Sequence, residues 1–495
     1  MAEEVPQVGV ELIFVRVGDA MGRAFVDLQG RVLDELRRGE TRGADRHNLV
    51  VITVDDQSRN VKPPQVLGEV RPGRGRITDQ MAALVSWYPG SMDTNHSGRR
   101  ALVVGLGISG MATAVRLRQI GWDPVVIEKA PGRRSGGYFV AVFGAGRASA
   151  ERLGILDKMP DRAPGGAHFE IDRLGNRRRA VGFGDGEGGP RRMLRGDVER
   201  ALFDALPQDV EIRYSTVPKR IAQDADGVEV TLLNTAEATS TAERFDLVVG
   251  ADGLHSTVRA LAFGPPERYL HPLDHTVAAF QLSRQVSGLD PDDTVSMVEP
   301  GRAMWVFSFA GRLPTVLLTH RTTDVDVEVR RTPAEGFRAA FGPEPTGKIL
   351  GQVLTELENA DQVVFDSVEQ VRMDHWHNGR VVLVGDSAWC VTLYSGMGVS
   401  AGLAGAELLG TMLQRHSNDI GQALSDWERR LRPFIKYHQR TGLSQRVFFN
   451  PANWREITQR KMLTRGMRYP VVGRLVRRLR LKGARMKELD IAAAA

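Results

Sequence analysis

Ala101-Leu102-Val103-Val104-Gly105-Leu106-Gly107-Ile108-Ser109-Gly110 is the stretch on which the reading of the fold turns. Four apolar residues in a row have the pattern of a strand buried on both faces of a parallel sheet. They run directly into Gly-x-Gly-x-x-Gly. There Gly105 permits a tight turn, Gly107 lets the backbone approach a pyrophosphate, and Gly110 allows a helix to pack closely on the strand. Ala112, Val115, Leu117 and Ile120 follow at helical spacing and predict a helix whose positive N-terminus faces the phosphates. A second apolar run, Pro124 to Ile127, ends at Glu128. A carboxylate at that point accepts hydrogen bonds from both ribose hydroxyls and repels a 2′-phosphate. The unit therefore predicts an adenosine dinucleotide without that phosphate, and NAD and FAD fit it equally.

Two later segments bear on that choice. Asp246-Leu247-Val248-Val249-Gly250-Ala251-Asp252-Gly253 leads on to Leu254-His255-Ser256-Thr257-Val258-Arg259. Gly379-Arg380-Val381-Val382-Leu383-Val384-Gly385-Asp386 leads on to Ser395-Gly396-Met397-Gly398. Each is an apolar strand ending in a Gly/Asp turn, at the carboxyl edge of a sheet where open α/β folds bind ligands. In order and composition these segments resemble the DG and GD motifs of the class A flavoprotein monooxygenases, a family of aromatic hydroxylases, polyketide hydroxylases and tetracycline-inactivating enzymes. The resemblance runs from Arg100 to about Leu413.

The resemblance implies FAD in an extended pose, with Asp252 and Gly253 near the pyrophosphate and Asp386 on the ribityl chain. The turn Gly396-Met397-Gly398 would lie against the isoalloxazine, and the helix after it would aim its amides at the flavin N1/C2 carbonyl region, where reduced flavin carries negative charge. Arg195, ahead of a helix, matches the family's cofactor-contacting arginine. In Arg133-Arg134-Ser135-Gly136-Gly137, which resembles the family's basic-then-glycine loop, Arg134 is taken as the residue reaching FAD phosphate or ribose. NAD(P)H would be a transient co-substrate only, and only if the flavin is redox-active, since no second glycine-loop unit is present for it.

The sequence departs from the family at one place. Members commonly read Gly-Asp-Ala-Ala-His and then one or two prolines before the flavin turn. Here Trp389 replaces the histidine, and Thr392 and Leu393 stand where prolines are expected. The departure leaves FAD binding expected and makes a second reading worth carrying. The same scaffold hosts FAD-containing cyclases of spirotetronate and spirotetramate biosynthesis, in which the flavin is structural and a polyene undergoes redox-neutral [4+2] cycloaddition. Flavin-dependent halogenases are set aside because their paired-tryptophan motif has no counterpart. Trp305, Trp389 and Tyr394 are the substrate-contact candidates. Trp305, Phe307 and Phe309 alternate along one strand and fit either a ligand wall or sheet packing. No general acid or base is assigned.

The expected fold is α/β: a Rossmann-type FAD/NAD(P)-binding domain with an inserted mixed β-sheet substrate domain and C-terminal helices. The FAD-binding domain is assembled from residues 98–190, 191–266 and 375–413. The substrate domain spans 267–374, where hairpin patterns such as Arg302 to Ala310 and Leu313 to His320 flank Gly311-Arg312. Residues 414–495 read as helical. Residues 1–97 form an extension of no evident chemistry, with strand-like runs at Glu11 to Val17 and Leu49 to Val54, a helix-like face of Phe25, Leu28, Val32 and Leu36, and a linker over about 55–97.

Composition excludes several classes. The apolar fraction of 42% and charged fraction of 25% are ordinary globular values. The lone Cys390 forms no internal disulfide and reads as a packing residue. No apolar run is long enough for a membrane span, and Glu3 and Glu4 stand where a signal peptide wants positive charge, so a cytoplasmic location is expected. The net charge is +6, and much of the basic excess lies between Arg455 and Lys487, where it reads as a solvated helical face in preference to a dock for an anionic partner. No nucleic-acid module is apparent, and Asp374, His375 and His377 suggest a polar turn rather than a metal site. The expected partner is a small hydrophobic substrate from natural-product biosynthesis.

Overall fold

A computed structural model of the chain describes residues 10–17, 47–54, 65–69, 98–133, 137–180, 189–466 and 485–493. The chain divides into two compact units, Met1–His96 and Ser97–Ala495. In the first unit, Val10–Val17 pairs antiparallel with His47–Val54 over its full length, from Val10 opposite Val54 to Val17 opposite His47. A third strand, Gln65–Glu69, pairs on the other side of His47–Val54. It lies inside the stretch read as a linker. Its partner is supplied by the sheet, whereas the local pattern of Gln65 to Glu69 carries little strand signal. The expected helix with Phe25, Leu28, Val32 and Leu36 lies outside the described residues, as do the basic residues Arg474 to Lys482.

The second unit is built on a six-stranded sheet. Four of its strands are β1 (Arg100–Val104), β2 (Asp123–Ile127), β3 (Leu247–Gly250) and β4 (Val381–Leu383). The spatial order is Glu211–Arg213, β2, β1, β3, β4, His377–Asn378, and every pairing is parallel except that of the last short strand. Helix α1 (Ile108–Gln119) follows β1, α2 (Thr257–Ala262) follows β3 closely, and α3 (Gly398–Arg415) follows β4 after a loop. α3 packs against α1 and against the helix Gly144–Arg152. The small residues Ala401, Ala404 and Ala406 of α3 are buried with the strands in one apolar core. The three glycine-terminated strands are sequence-distant neighbours at the sheet centre, so their turns emerge side by side.

The second sheet has seven strands in the order Val364–Val371, Leu270–Gln281, Arg312–Arg321, Arg302–Phe309, Thr294–Glu299, His168–Ile171, Arg177–Arg179. It is mixed, because Thr294–Glu299 runs parallel to His168–Ile171 while its other ladders are antiparallel. Strand alternation divides it into two faces. One buries Phe280, Met304, Val306 and Leu318 under the helices Pro333–Phe341 and Gly347–Glu358. The opposite face buries Trp305, Phe307, Phe309 and Val277 with Tyr394 and Phe449. The sheet draws two of its strands, His168–Ile171 and Arg177–Arg179, from the 98–190 segment expected in the FAD-binding domain. Residues 333–358, read as part of a hairpin region, are mainly two helices with apolar stripes facing the sheet.

The chain then continues through α4 (Ile420–Phe449), a 30-residue helix, and a helix at Trp454–Gly466. No helix among the described residues is long and apolar enough to cross a membrane.

Candidate functional site

A cavity of about 540 Å³ lies where the glycine-terminated strands face the aromatic side of the seven-stranded sheet. Its nucleotide-side wall is the loop Gly105 to Ser109 together with Glu128 to Ala130, Arg195 and the turn Ala251 to Leu254. The opposite wall comes from Ala279, Phe307, Thr315, Leu317 and Phe449. Asp386, the run Cys390 to Leu393, Gly396 and Gly398 join the two. The volume falls within the ~300–1,000 Å³ of small-molecule and cofactor sites.

The glycine loop is shaped by contacts that no side chain would survive. Gly105 has φ +108°, and a Cβ there would lie 2.5 Å from the Ala251 carbonyl oxygen. A Cβ on Gly110 would lie 1.9 Å from the Gly105 carbonyl oxygen, so the third glycine lets α1 close on the loop itself. At Gly107 the nearest atom to such a Cβ is Arg195 Nη2 at 4.0 Å, which leaves a cradle open on the cavity side. Glu128 braces the loop: its Oε2 accepts from the Leu106 amide at 2.9 Å and its Oε1 from the Ala130 amide at 2.9 Å. The carboxylate still lines the cavity with lone pairs to spare.

Arg195 opens the helix Arg195–Phe203 and lines the cavity. Burial alone would lower its pKa, but Tyr138, Glu199 and Asp386 outweigh that and raise it, so it is a fixed cation. It pairs with Glu199 at 2.8 Å and lies over the Tyr138 ring. Asp386 begins the short helix Asp386–Trp389 and opens on the cavity, where desolvation raises its carboxyl pKa and Arg195 pulls it back. The preceding Gly385 has φ +72°, and a Cβ there would meet Ser109 Oγ at 2.3 Å, so the GD turn is pressed onto the glycine loop. Arg134 lies outside the described residues. Its neighbour Arg133 lines the cavity and stacks on Phe203 at 3.8 Å.

Asp252, expected near the pyrophosphate, turns its carboxylate onto its own chain. It accepts from Ser256 Oγ at 2.6 Å and from the amides of Thr257 and Val258 at 2.7 and 3.1 Å, holding the start of α2. Burial raises its pKa against those bonds. Asp252 and Gly253, with φ +82°, still form part of the wall. Gly396, at φ +65°, and Gly398 line the cavity beside the N-terminus of α3, while the Met397 side chain is buried in the core.

The structure brings none of the three substrate-contact candidates to the wall. Trp389 is 1% exposed and packs with Trp376 and Trp427 at centroid distances of 4.8 and 5.8 Å, with Trp427 held by a bond from Nε1 to the Gly405 carbonyl. Trp305 packs on His168 and Phe449, and Tyr394 on His275 and Phe449, in the layer behind the cavity. Their neighbours line it instead. Phe139 and Phe307 stack at 4.2 Å with planes 11° apart, and Leu393 and Phe449 complete an apolar surface. The sequence hint for these was the alternation of Trp305, Phe307 and Phe309, which left open which ring was innermost. Cys390 lines the cavity as well as packing, and burial together with Asp386 pushes its thiol pKa well up, so it stays protonated. His375 and His377 share the carboxylate of Glu428, at 3.5 and 3.8 Å. No cluster of metal-ligating residues occurs among the described residues.

Thr392 departs most from what the sequence suggested. Its φ is +68°, and a β-branched residue held there costs on the order of 1–3 kcal/mol. Proline, locked near −65°, has no access to that conformation. The loop therefore has its own backbone path at the position where the resembling family places proline.

Comparison with known proteins agrees with this architecture. The family described as FAD binding domain matches residues 99–427. The chain is 30% identical over 352 residues to an uncharacterized protein of Mycobacterium tuberculosis, covering 69% of this chain and 92% of that protein. It is 26% identical over 365 residues to a flavin-dependent monooxygenase of Legionella longbeachae, covering 70% and 88%. The crystal structure of tetracycline destructase Tet(51) shares the fold, with a TM-score of 0.65 at 24% identity, covering 79% of this chain and 97% of that one.

Proposed function

The chain belongs to the FAD binding domain family and is an enzyme with the fold of the FAD-dependent monooxygenases; we propose that its substrate is a hydrophobic polyketide-like or aromatic metabolite of natural-product biosynthesis. The observation that carries this reading is the cavity, which joins an anion-accepting glycine loop to a wall of stacked phenylalanines. A cofactor with a phosphate-bearing end and a planar end fits the first part. A flat apolar substrate fits the second.

In this reading Gly105, Gly107 and Gly110 shape the loop for the pyrophosphate, with the amides of α1 donating to it. Glu128 takes the ribose hydroxyls, and Arg134 and Arg195 supply positive charge along the phosphates. Asp386 accepts from the ribityl chain. Asp252 and Gly253 act as positioning residues through the turn they hold. Gly396, Met397 and Gly398 present the N-terminus of α3 to the planar end, where a positive helix end stabilises negative charge. FAD bound there would supply the redox chemistry, with NAD(P)H as reductant and O2 as oxidant. The protein orients the substrate against Phe139 and Phe307, excludes water with Leu393 and Phe449, and keeps the Cys390 thiol protonated beside Asp386.

The backbone at Thr392 favours carrying the second reading, a redox-neutral cyclase that uses the cavity to hold diene over dienophile. That conformation changes the loop next to the proposed flavin end without touching the residues proposed to bind FAD. NADPH consumption under air and the product mass test the two. Substrate-dependent NADPH oxidation with a gain of one oxygen supports the monooxygenase. A product of unchanged mass formed without NADPH supports the cyclase and overturns the first reading.

A further inference from the structure

Two residues that line the cavity carry buried hydroxyl groups with no hydrogen-bond partner among the described residues. Thr392 Oγ1 and Thr315 Oγ1 are buried and unpaired, their residues 4% and 0% exposed, and both residues line the cavity. Buried polar groups in folded proteins are almost always paired, so an orphan in a cavity wall calls for a partner that arrives with a ligand.

Each side chain is held by its surroundings with the hydroxyl left over. A Cβ on Gly442 would lie 3.0 Å from Thr392 Cγ2, so the methyl of Thr392 is the group turned to α4. The positive φ sets this threonine in a backbone path that neither proline nor ordinary extended chain would follow. Thr315 stands directly opposite Phe307 on the neighbouring antiparallel strand, so its side chain shares the sheet face that carries the stacked pair Phe139 and Phe307. It belongs to the sheet wall, across the cavity from the glycine loop, and a partner for it comes most directly from the substrate.

We propose that Thr392 and Thr315 form a hydrogen-bonding subsite for an oxygen atom, phenolic, enolic or carbonyl, on the edge of a planar conjugated substrate whose face lies on Phe139 and Phe307. This deepens the reading of the cavity as a shared cofactor and substrate site and rests on it. A threonine hydroxyl both donates and accepts, so the subsite takes either tautomer of an enolisable ketone and discriminates against a plain hydrocarbon edge.

The test uses FAD-loaded full-length protein and two probes of nearly equal size, 2-naphthol and 2-methylnaphthalene, each titrated against the visible absorbance of the bound FAD. The wild type is expected to bind 2-naphthol about fivefold more tightly. Thr392→Val and Thr315→Val keep the branched shape and remove the hydroxyl, and each is expected to bring that ratio towards one. Thr392→Ser is expected to retain it. Equal binding of the two probes by the wild type, no binding of 2-naphthol, or an undiminished ratio in both valine variants overturns the proposal. If the valine variants lose FAD affinity while the probe ratio stays at the wild-type value, the hydroxyls serve the cofactor and the proposal fails. A wild-type protein that does not retain FAD would instead overturn the cavity's assignment as a flavin site.

Discussion

Arg259 donates from Nη1 to the main-chain carbonyl of Ser387 at 2.9 Å, and so ties the turn after β3 to the turn after β4. Its Nη2 donates to the Leu254 carbonyl at 2.6 Å, and the side chain is wholly buried. The two Gly/Asp turns that border the cavity are thus linked by this cation as well as by sheet pairing and by Ser387 Oγ, which donates to the Gly250 carbonyl at 2.6 Å.

Removing that cation should loosen both turns at once. Arg259→Ala is expected to cost on the order of 3 kcal/mol, since two charge-assisted bonds and their packing are lost. Arg259→Lys should not rescue it, because an ammonium lacks the planar fork that spans two carbonyls. Denaturant melts give the stability, and the A450-to-A280 ratio of purified protein gives FAD retention. A lysine variant with wild-type values of both would contradict the role.

Gly110→Ala forces a methyl group to within 1.9 Å of the Gly105 carbonyl oxygen. The loop or α1 must shift, which should cost about 1–3 kcal/mol and weaken FAD binding more than it lowers stability. Gly165, which has open space where a Cβ would go and lies outside the cavity lining, provides the control. Gly165→Ala should hold FAD like the wild type.

Strand β1, the glycine loop and α1 were legible in the sequence because each is decided locally, by an apolar run, by fixed glycine spacing and by helical periodicity. The place of Glu128, directly after β2, was legible for the same reason. The bonding of the Asp252 carboxylate was not read from the sequence, because it runs forward to Ser256, Thr257 and Val258. The Ser-Thr pair before an apolar residue was the available signal, as a helix start. The conformation of Thr392 and the burial of Trp389 had no local signal. The first depends on α4 pressing Gly442 against the loop, and the second on three tryptophans brought together from separate segments.

The Arg162 guanidinium grips Asp197 at 2.6 and 2.8 Å, and the Leu194 amide donates to the same carboxylate at 3.1 Å. Burial would raise the carboxyl pKa, but these bonds outweigh it and hold it below the ordinary aspartate value. A depressed folded-state pKa contributes stability above the unfolded value and loses it as pH falls through the folded value. Asp197→Asn should therefore be less stable than the wild type by about 1.5–3 kcal/mol at pH 7. The gap should narrow below about pH 4. Urea melts at pH 7 and pH 3 measure it, and a gap that does not change with pH would count against the pairing.

Trp389 packs in a cluster behind the cavity, so its truncation should act on stability. Trp389→Ala is expected to cost about 3–5 kcal/mol. Trp389→Phe, which keeps most of the apolar volume, should cost less and leave the affinity for 2-naphthol within about twofold of the wild type, a difference smaller than one ordinary hydrogen bond. A large affinity change in a stably folded phenylalanine variant would return Trp389 to the ligand.

β3 lies between β1 and β4, so the central parallel sheet is completed by residues nearly three hundred positions apart. Phe449, at the end of α4, contributes to the cavity wall later still. A chain emerging from the ribosome makes its glycine loop early, long before the strands and the helix that close around it exist. Pairing at such sequence separation is intrinsically slow and leaves apolar edges exposed in the interval. Cofactor capture is therefore an event of the finished polypeptide, and the supply of FAD during maturation should govern how much of the protein reaches its native state.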